Sequence, residues 1–130
     1  AMAAAGMEIG SHSRSHCRLT QVNSETLEDE VSGSKAELTD ILGQPVESFA
    51  YPYSVHNECV VAAVRKAGYR AAFTTRAGWV PRDGDPLRMP RISILAPDGR
   101  SIFACKIAFA DNNISWTRLT RYYLSKFWGG

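Results

Sequence analysis

The stretch that decides the fold runs from Gly6 to His16 and reads Gly-Met-Glu-Ile-Gly-Ser-His-Ser-Arg-Ser-His. Its first half, residues 6–10, alternates apolar and polar side chains between two glycines, which predicts a short strand. Its second half is rich in serine and breaks the apolar periodicity, as is typical of a functional loop at the end of a strand. His12 and His16 both belong to that loop. We therefore expect this loop to carry functional residues.

These two histidines are four residues apart. On a helical turn, side chains at that spacing are neighbours, about 5–6 Å apart at Cβ. Two imidazoles so placed can converge on one zinc ion with Zn–N distances of about 2.0–2.1 Å. The same spacing also arises by chance or in helix caps, so the pair alone leaves metal binding and a structural role open.

A catalytic zinc normally has three protein ligands and a water, so a third ligand has to come from elsewhere. His56 is the only other histidine of the chain. Its position in a polar loop favours a solvated side chain over a metal ligand.

A long helix is predicted directly after the histidine loop. Asn23 or Ser24 is suited to cap its beginning, and Gly43 followed by Pro45 is suited to end it. Apolar residues recur at helical spacing in between and define the expected buried face. They are Leu27, Val31, Leu38, Ile41 and Leu42.

The following segments continue an alternation of strands and helices. A strand is expected over 48–53, a helix from Asn57 to Gly68, and another strand over 69–75. Strand, helix, strand, helix, strand favours an α/β fold with a parallel sheet.

The pattern changes after Trp79. A strand over 91–95, the turn Pro97-Asp98-Gly99 and an extended segment over 101–109 predict a hairpin. Ser115 is suited to cap a final helix with an aromatic face. We find no repeat and no low-complexity linker, and we expect residues 1–130 to form a single domain.

Composition excludes several classes of function. A net charge of +2, with 15 scattered Lys and Arg, argues against a nucleic-acid partner. No run approaches the eighteen or so apolar residues of a membrane span. Residues 1–7 lack the positive leader of a signal peptide. Three distant cysteines do not indicate a disulfide framework or a zinc knuckle.

Residues 6–16 resemble the second motif of the NodB-type polysaccharide deacetylases, and residues 49–54, Phe-Ala-Tyr-Pro-Tyr-Ser, are similar to the third. The segments 43–46, 67–73 and 90–92 also resemble parts of that family, in the expected order. The resemblance extends from about Gly6 to Ile94. It implies a partial or distorted (β/α) barrel of the NodB-homology type, here with the C-terminal hairpin and helix.

The resemblance also implies a function. Members of the family are metal-dependent hydrolases that remove acetyl groups from N-acetylated sugars. His12 and His16 are then metal ligands for a divalent ion, zinc by preference and cobalt or nickel as alternatives. The main-chain amide of Tyr53 helps to form the oxyanion hole, and Pro52 shapes that loop. Tyr51 and Trp79 are expected to contact the substrate. Packing of a rigid aromatic loop is the alternative for Pro52 and Tyr53, and ordinary core packing is the alternative for Trp79.

The sequence departs from the family at several positions. The first motif, an aspartate-rich strand end that supplies the base and the third ligand, is expected upstream of Gly6, where the five residues present include no carboxylate. Ala50 stands where the third motif usually has an arginine, and Arg76 stands near the place of the fourth motif's aspartate. Residues 89–94 contain no counterpart of the fifth motif's histidine.

From these departures we expect little or no deacetylase activity from this chain alone. A partial barrel exposes strand edges, so we also expect self-association into a homo-oligomer. An N-acetylated polysaccharide or glycan, such as a bacterial exopolysaccharide or cell-wall polymer, is the implied partner. Family members are often secreted or attached to the cell envelope, but this chain does not indicate a location. The alternatives are a non-catalytic carbohydrate-binding or assembly protein, and an unrelated α/β domain with a chance histidine pair.

Overall fold

The computed structural model describes residues 2–114 together with 117 and 120. These residues divide into two compact units. Unit 1 comprises Ala1–Thr75 and Val80–Pro90, and unit 2 comprises Arg76–Trp79 and Arg91–Gly130. The expectation of a single domain stays a prediction. Within the described part of the chain, no helix is both long enough and apolar enough to cross a membrane.

The predicted first helix is present and continuous, but it contains a turn that the sequence did not indicate. Helix α1 covers Ser24–Glu28, a π-helical turn covers Asp29–Gly33, and helix α2 covers Ser34–Leu42. The Asn23 side chain caps α1 by accepting a hydrogen bond from the Thr26 amide at 2.8 Å. Gly43 ends α2 with a φ of 66°, a left-handed conformation that glycine adopts without steric cost. Both predicted ends are confirmed.

The structure corrects one member of the predicted buried face. Leu27 and Val31 are buried, as expected. Leu38 and Leu42, beyond the π turn, also pack against the core as partly buried residues. Ile41, predicted to be buried, is 72% exposed, whereas Ser34 is buried at 4%.

The parallel sheet is confirmed at its centre. Strand β1 covers Ser48–Ala50 and strand β2 covers Ala71–Phe73, and they pair in parallel with Phe49 opposite Ala72. Helix α3, Glu58–Lys66, connects them and begins at the predicted cap, Asn57. This gives a small α/β arrangement with a two-stranded parallel sheet, and the barrel stays a prediction.

One further segment lies beside each strand. Ser11 forms a parallel bridge with Phe49 of β1, and Met89 forms one with Phe73 of β2. The expected strand over 6–10 is wrong, because only Ser11 pairs in this way. Gly10 explains the tight approach, since a Cβ there would lie 2.7 Å from the Ser48 Oγ. Only glycine allows the histidine loop to reach β1 so closely.

The core of unit 1 fills the space between this sheet and the helices. Phe49 lies at its centre, with its ring centroid 5.4 Å from that of Tyr51 and 5.1 Å from that of Tyr69. A leucine from α1 and valines from the π turn and α3 belong to the same buried cluster. The other buried members are Leu19, Leu27, Val31, Val46, Val60, Val61, Val64, Ala72 and Leu87.

The predicted hairpin in unit 2 is wrong. Residues 91–95 form no strand, and Arg100–Phe109 form helix α4 in place of an extended segment. The expected turn is present, because the Asp98 amide donates to the Leu95 carbonyl at 2.9 Å, but it leads into a helix. A helix brings Lys106, which is 4% exposed, to the carboxylate of Asp98 at 2.6 Å. The predicted helix from Ser115 lies outside the described residues.

Candidate metal centre

The histidine loop is attached to β1 by its backbone. The Ser11 amide donates to the Ser48 carbonyl, and the Ala50 amide donates to the Ser11 carbonyl, both at 2.9 Å. The buried Ser11 hydroxyl also lies 2.9 Å from the hydroxyl of Ser34 in α2. These contacts fix the position of His12 beside the carboxyl end of β1, where parallel α/β folds commonly place their functional groups.

The ring of His12 is oriented by the main chain of β1. Its Nδ1 lies 2.7 Å from the carbonyl oxygen of Ala50. A carbonyl only accepts hydrogen bonds, so Nδ1 is the protonated nitrogen and, in the neutral ring, Nε2 carries the free lone pair. A carbonyl contact of this kind orients metal-binding histidines in many proteins.

His16 lies next to His12. Their ring centroids are 4.8 Å apart, with an angle of 66° between the ring planes. Ser13 and His16 adopt left-handed backbone conformations with φ of 64° and 58°, and the His16 amide donates to the Ser13 Oγ at 3.0 Å. Left-handed residues other than glycine are strained, and they cluster at functional sites.

A buried carboxylate holds the centre of this loop. Glu30, on the π turn, is 5% exposed and accepts hydrogen bonds from the amides of Arg14 and Ser15. Burial pushes the pKa of Glu30 upward, but the bonds from Ser15, Arg14 and Ser13 outweigh it and hold that pKa below its ordinary value. The carboxylate is therefore ionised at neutral pH.

The loop after β1 brings Tyr53 against the second histidine. The Tyr53 ring centroid lies 4.7 Å from that of His16, and the Arg18 guanidinium carbon lies 4.6 Å from the Tyr53 centroid on its face. Pro52 is buried, whereas Tyr53 is 53% exposed with a φ of 55°. Ser54, also left-handed, accepts a hydrogen bond from the Thr75 amide at 2.8 Å. Within the described residues, no acceptor is bonded to the Tyr53 amide.

The other predicted site residues differ in their exposure and contacts. Tyr51 is 2% exposed and donates its hydroxyl to the Leu87 carbonyl at 2.8 Å. This burial does not support a substrate contact by Tyr51, which stays a prediction. His56 stacks on Tyr51, with ring centroids 4.8 Å apart. Trp79 belongs to unit 2 and is 63% exposed.

The chain is similar to known proteins over much of its length. Residues 1–72 match the family model described as polysaccharide deacetylase. The chain belongs to the polysaccharide deacetylase family. A Bacillus subtilis relative, YxkH, also carries the name of a polysaccharide deacetylase and is 27% identical over 106 residues, which are 82% of this chain and 38% of YxkH.

Solved structures of polysaccharide deacetylases resemble this family member. BC0361, a polysaccharide deacetylase from Bacillus cereus, is 30% identical with a TM-score of 0.74, over 82% of this chain and 34% of BC0361. The Streptococcus pyogenes deacetylase PplD, solved in complex with acetate, is 25% identical with a TM-score of 0.75, over 80% of this chain and 46% of PplD. The chain therefore spans less than half the length of these relatives.

The donor atoms of this deacetylase-family chain suit a divalent metal in part. Two exposed imidazoles lie side by side. In neutral His12, Nε2 carries the lone pair that can bind a metal, because Nδ1 is bonded to the Ala50 carbonyl. Imidazole nitrogen is a preferred ligand of zinc, and also binds cobalt and nickel. In the described part of the chain, no third His, Cys, Asp or Glu joins them in a metal-binding group.

Two residues that help to build the centre were not identified from the sequence. Glu30 belongs to no motif, and a glutamate on a predicted helix is ordinarily solvated. Arg18 follows the histidine loop, and no motif marks its contact with Tyr53. A signal for Glu30 existed in its place beside Val31, on the buried side of the predicted helix.

Proposed function

We propose that this chain is the metal-binding part of a polysaccharide N-deacetylase, a hydrolase that acts on N-acetylated glycans. The observation that carries the proposal is the pairing of His12 and His16, with ring centroids 4.8 Å apart and the Nδ1 of His12 bonded to Ala50. His12 and His16 would hold a divalent ion, zinc or, alternatively, cobalt or nickel. The likeness to PplD, a deacetylase solved with acetate, supports acetyl removal as the reaction.

The chain's own groups suit the binding and orientation of an acetamide. When bound, the metal supplies Lewis acidity and a water of lowered pKa. The Tyr53 amide, which bonds to no acceptor in the described residues, is suited to donate to a developing oxyanion. Buried Pro52 and the bond of Ser54 to Thr75 hold that amide in place. Trp79 remains a proposed substrate-binding residue, and the distorted (β/α) barrel remains the proposed fold of the whole enzyme.

We further propose that this chain has little or no activity by itself. Hydrolysis of an amide requires a base to take the proton of the attacking water. Neither an acidic base nor a third ligand accompanies the histidine pair within the described residues. The remaining acidic groups of the site would come from outside these residues.

A non-catalytic carbohydrate-binding role is the second candidate. The observation in its favour is the half-exposed ring of Tyr53, which is fixed by Arg18 on one face and His16 at its edge. A rigid exposed aromatic ring is suited to stack on a sugar. This role predicts binding of N-acetylated oligosaccharides that does not depend on metal.

Metal analysis of purified variants tests the first proposal. We expect His12→Ala and His16→Ala each to weaken zinc binding by about 10- to 100-fold or more, because each removes one of two ligands. Calorimetric titration of the metal-free protein with zinc, cobalt and nickel measures this. His56→Ala is the matched control, since His56 stacks on Tyr51 away from the pair, and it should bind zinc as the parent does.

The outcomes separate the candidates. Zinc binding that is the same in the parent and in both variants would contradict the assignment of the ligands. Metal-independent retention on N-acetylglucosamine oligomers, lost on Tyr53→Ala, would favour the binding role. Acetate release by the chain alone would contradict the expected inactivity while supporting the deacetylase chemistry.

A further inference from the structure

Glu30 is a buried acidic residue that the proposed chemistry does not use. Its side chain comes from the π turn and is 5% exposed. A buried carboxylate is costly unless hydrogen bonds satisfy it, so its partners indicate why it is there. All the bonds that the structure records for it go to the residues between the two histidines.

The bonds of Glu30 hold the backbone of the loop. One carboxylate oxygen, Oε2, accepts from the Arg14 amide and from the Ser15 amide, both at 2.9 Å. The other oxygen, Oε1, accepts from the Ser15 hydroxyl. Two consecutive amides that point at one anion form a concave donor site, which fixes the local backbone conformation.

The conformation that Glu30 fixes is one that the loop would not favour alone. Ser13 and His16, on either side of the bonded amides, both have positive φ. Such residues persist only where the surrounding structure holds them. The left-handed turn is what returns His16 to the side of His12.

The π turn and Gly33 provide the space for this arrangement. A Cβ on Gly33 would lie 2.8 Å from the Asp29 Oδ1 and 3.4 Å from the Arg14 Nη2. The Arg14 side chain is therefore free to turn outward to Asp29, at 2.6 Å, and to Glu37, at 3.3 Å. The backbone amide of Arg14 donates its hydrogen bond to the carboxylate of Glu30.

We propose that Glu30 is a positioning residue, which sets the geometry of the histidine pair by holding the amides of Arg14 and Ser15. This inference rests on the proposed function, because the pair is taken to bind a divalent ion. Glu30 touches neither imidazole and acts only through the loop backbone. Its removal should therefore change metal affinity in a protein that still folds.

Variants of Glu30 and Glu37 test this role. Glu30→Met fills the same volume but accepts no hydrogen bond, and Glu30→Gln keeps one acceptor oxygen without the charge. We expect zinc affinity to fall by about 10-fold or more in Glu30→Met, with Glu30→Gln in between, because misplaced ligands bind more weakly. Glu37→Met is the matched control, since exposed Glu37 accepts from the Arg14 side chain and not from the loop backbone in the described residues, and it should bind zinc as the parent does.

The same variants distinguish positioning from a purely structural role. If folded Glu30→Met, with an unchanged circular dichroism spectrum, binds zinc as tightly as the parent, the proposal is overturned. If Glu30→Met does not fold, Glu30→Gln decides by the same measurement, with weaker zinc binding in support and unchanged binding against.

A measurement without metal separates this inference from the proposed function. In the metal-free protein, we expect the amides of Arg14 and Ser15 to exchange hydrogen faster in Glu30→Gln than in the parent. The core amides of β2 should exchange at the parent rate. Unchanged exchange at Arg14 and Ser15 overturns the role of Glu30. Failure of the parent to bind any metal contradicts the proposed function, while the exchange result still decides whether Glu30 holds the loop.

Discussion

The hydroxyl of Tyr51 shows how a single buried group links the core to the segment beside β2. It donates to the carbonyl of Leu87, and the ring is 2% exposed. Burial raises the pKa of Tyr51 to about 12, and the negative charge of Asp85 adds to that rise. Because the folded pKa lies above the ordinary value of about 10, the contribution to stability is complete below pH 10 and is lost as the pH rises towards 12.

We expect Tyr51→Phe to lower the free energy of unfolding at pH 7 by about 1 kcal/mol, because it removes a buried hydrogen bond. Urea denaturation of the variant and the parent measures the difference. The difference in the free energy of unfolding should narrow as the pH rises from 10 towards 12. Over that range the hydroxyl of Tyr51 ionises in the parent, so the parent loses the hydrogen bond that the variant never had. Tyr53→Phe, at an exposed ring, serves as the control and should leave the stability unchanged. A difference that stays constant up to pH 12 would count against the raised pKa of Tyr51.

At this scale, the sequence singled out the two candidate ligands but not the residue that holds their loop. Four-residue spacing alone left metal binding and a structural role open for His12 and His16, and the resemblance to the deacetylase motifs singled them out as candidate ligands. Glu30 could not be singled out, because an ionised side chain on a helix is ordinarily solvated. Its burial depends on the π turn and on the left-handed loop, and neither leaves a simple pattern in the sequence.

At the scale of elements, helix α3 depends on the residue that caps its beginning, Asn57. The Asn57 side chain accepts a hydrogen bond from the Val60 amide at 3.0 Å and satisfies one of the free donors at the beginning of the helix. Val60, Val61 and Val64 on this helix are all buried at 3% or less, so fraying would expose the core.

We expect Asn57→Ala to lower the free energy of unfolding by about 1 kcal/mol through loss of the cap. Thermal or chemical denaturation monitored by circular dichroism measures this. Asn57→Asp keeps an acceptor and adds a charge that the helix N-terminus favours, so it should retain the parent stability. Equal stability of the alanine and aspartate variants would show that the cap contributes nothing.

Predictions of elements succeeded where local chemistry decided the structure. Asn23, Asn57 and Gly43 mark helix ends in the sequence and in the structure, because caps and left-handed glycines act within a few residues. The prediction of a hairpin in unit 2 was wrong because the turn before Gly99 is equally suited to begin a helix. The contact of Lys106 with Asp98, which a helix makes possible, was not visible as a pattern.

At the scale of the whole molecule, open sheet edges and exposed apolar side chains favour association. The sheet has two full strands, and in the described residues nothing pairs with the far side of the segment at Ser11 or at Met89. In unit 2, Phe103 and Ile107 lie four residues apart on α4 and are 48% and 41% exposed. Unpaired edges and apolar surfaces of this kind promote contacts between chains.

We therefore expect this 14.3 kDa chain to form dimers or larger species at micromolar concentration. Sedimentation velocity over a range of concentrations measures this. Phe103→Lys should reduce association if α4 contributes to it, and Ile41→Lys, at an exposed position on α2, is a control of the same chemistry. A single compact species with the mass of one chain at every concentration would contradict the expectation.

The bond between His12 and the Ala50 carbonyl has a consequence for the sheet itself. Ala50 is the last residue of β1, and its amide is bonded to Ser11. Binding at a ring held in this way and pairing of these strands are thermodynamically linked, so each stabilises the other by the same free energy. Metal bound at the proposed site would therefore strengthen the pairing of these strands, and a chelator that removed it would lower the stability of the chain.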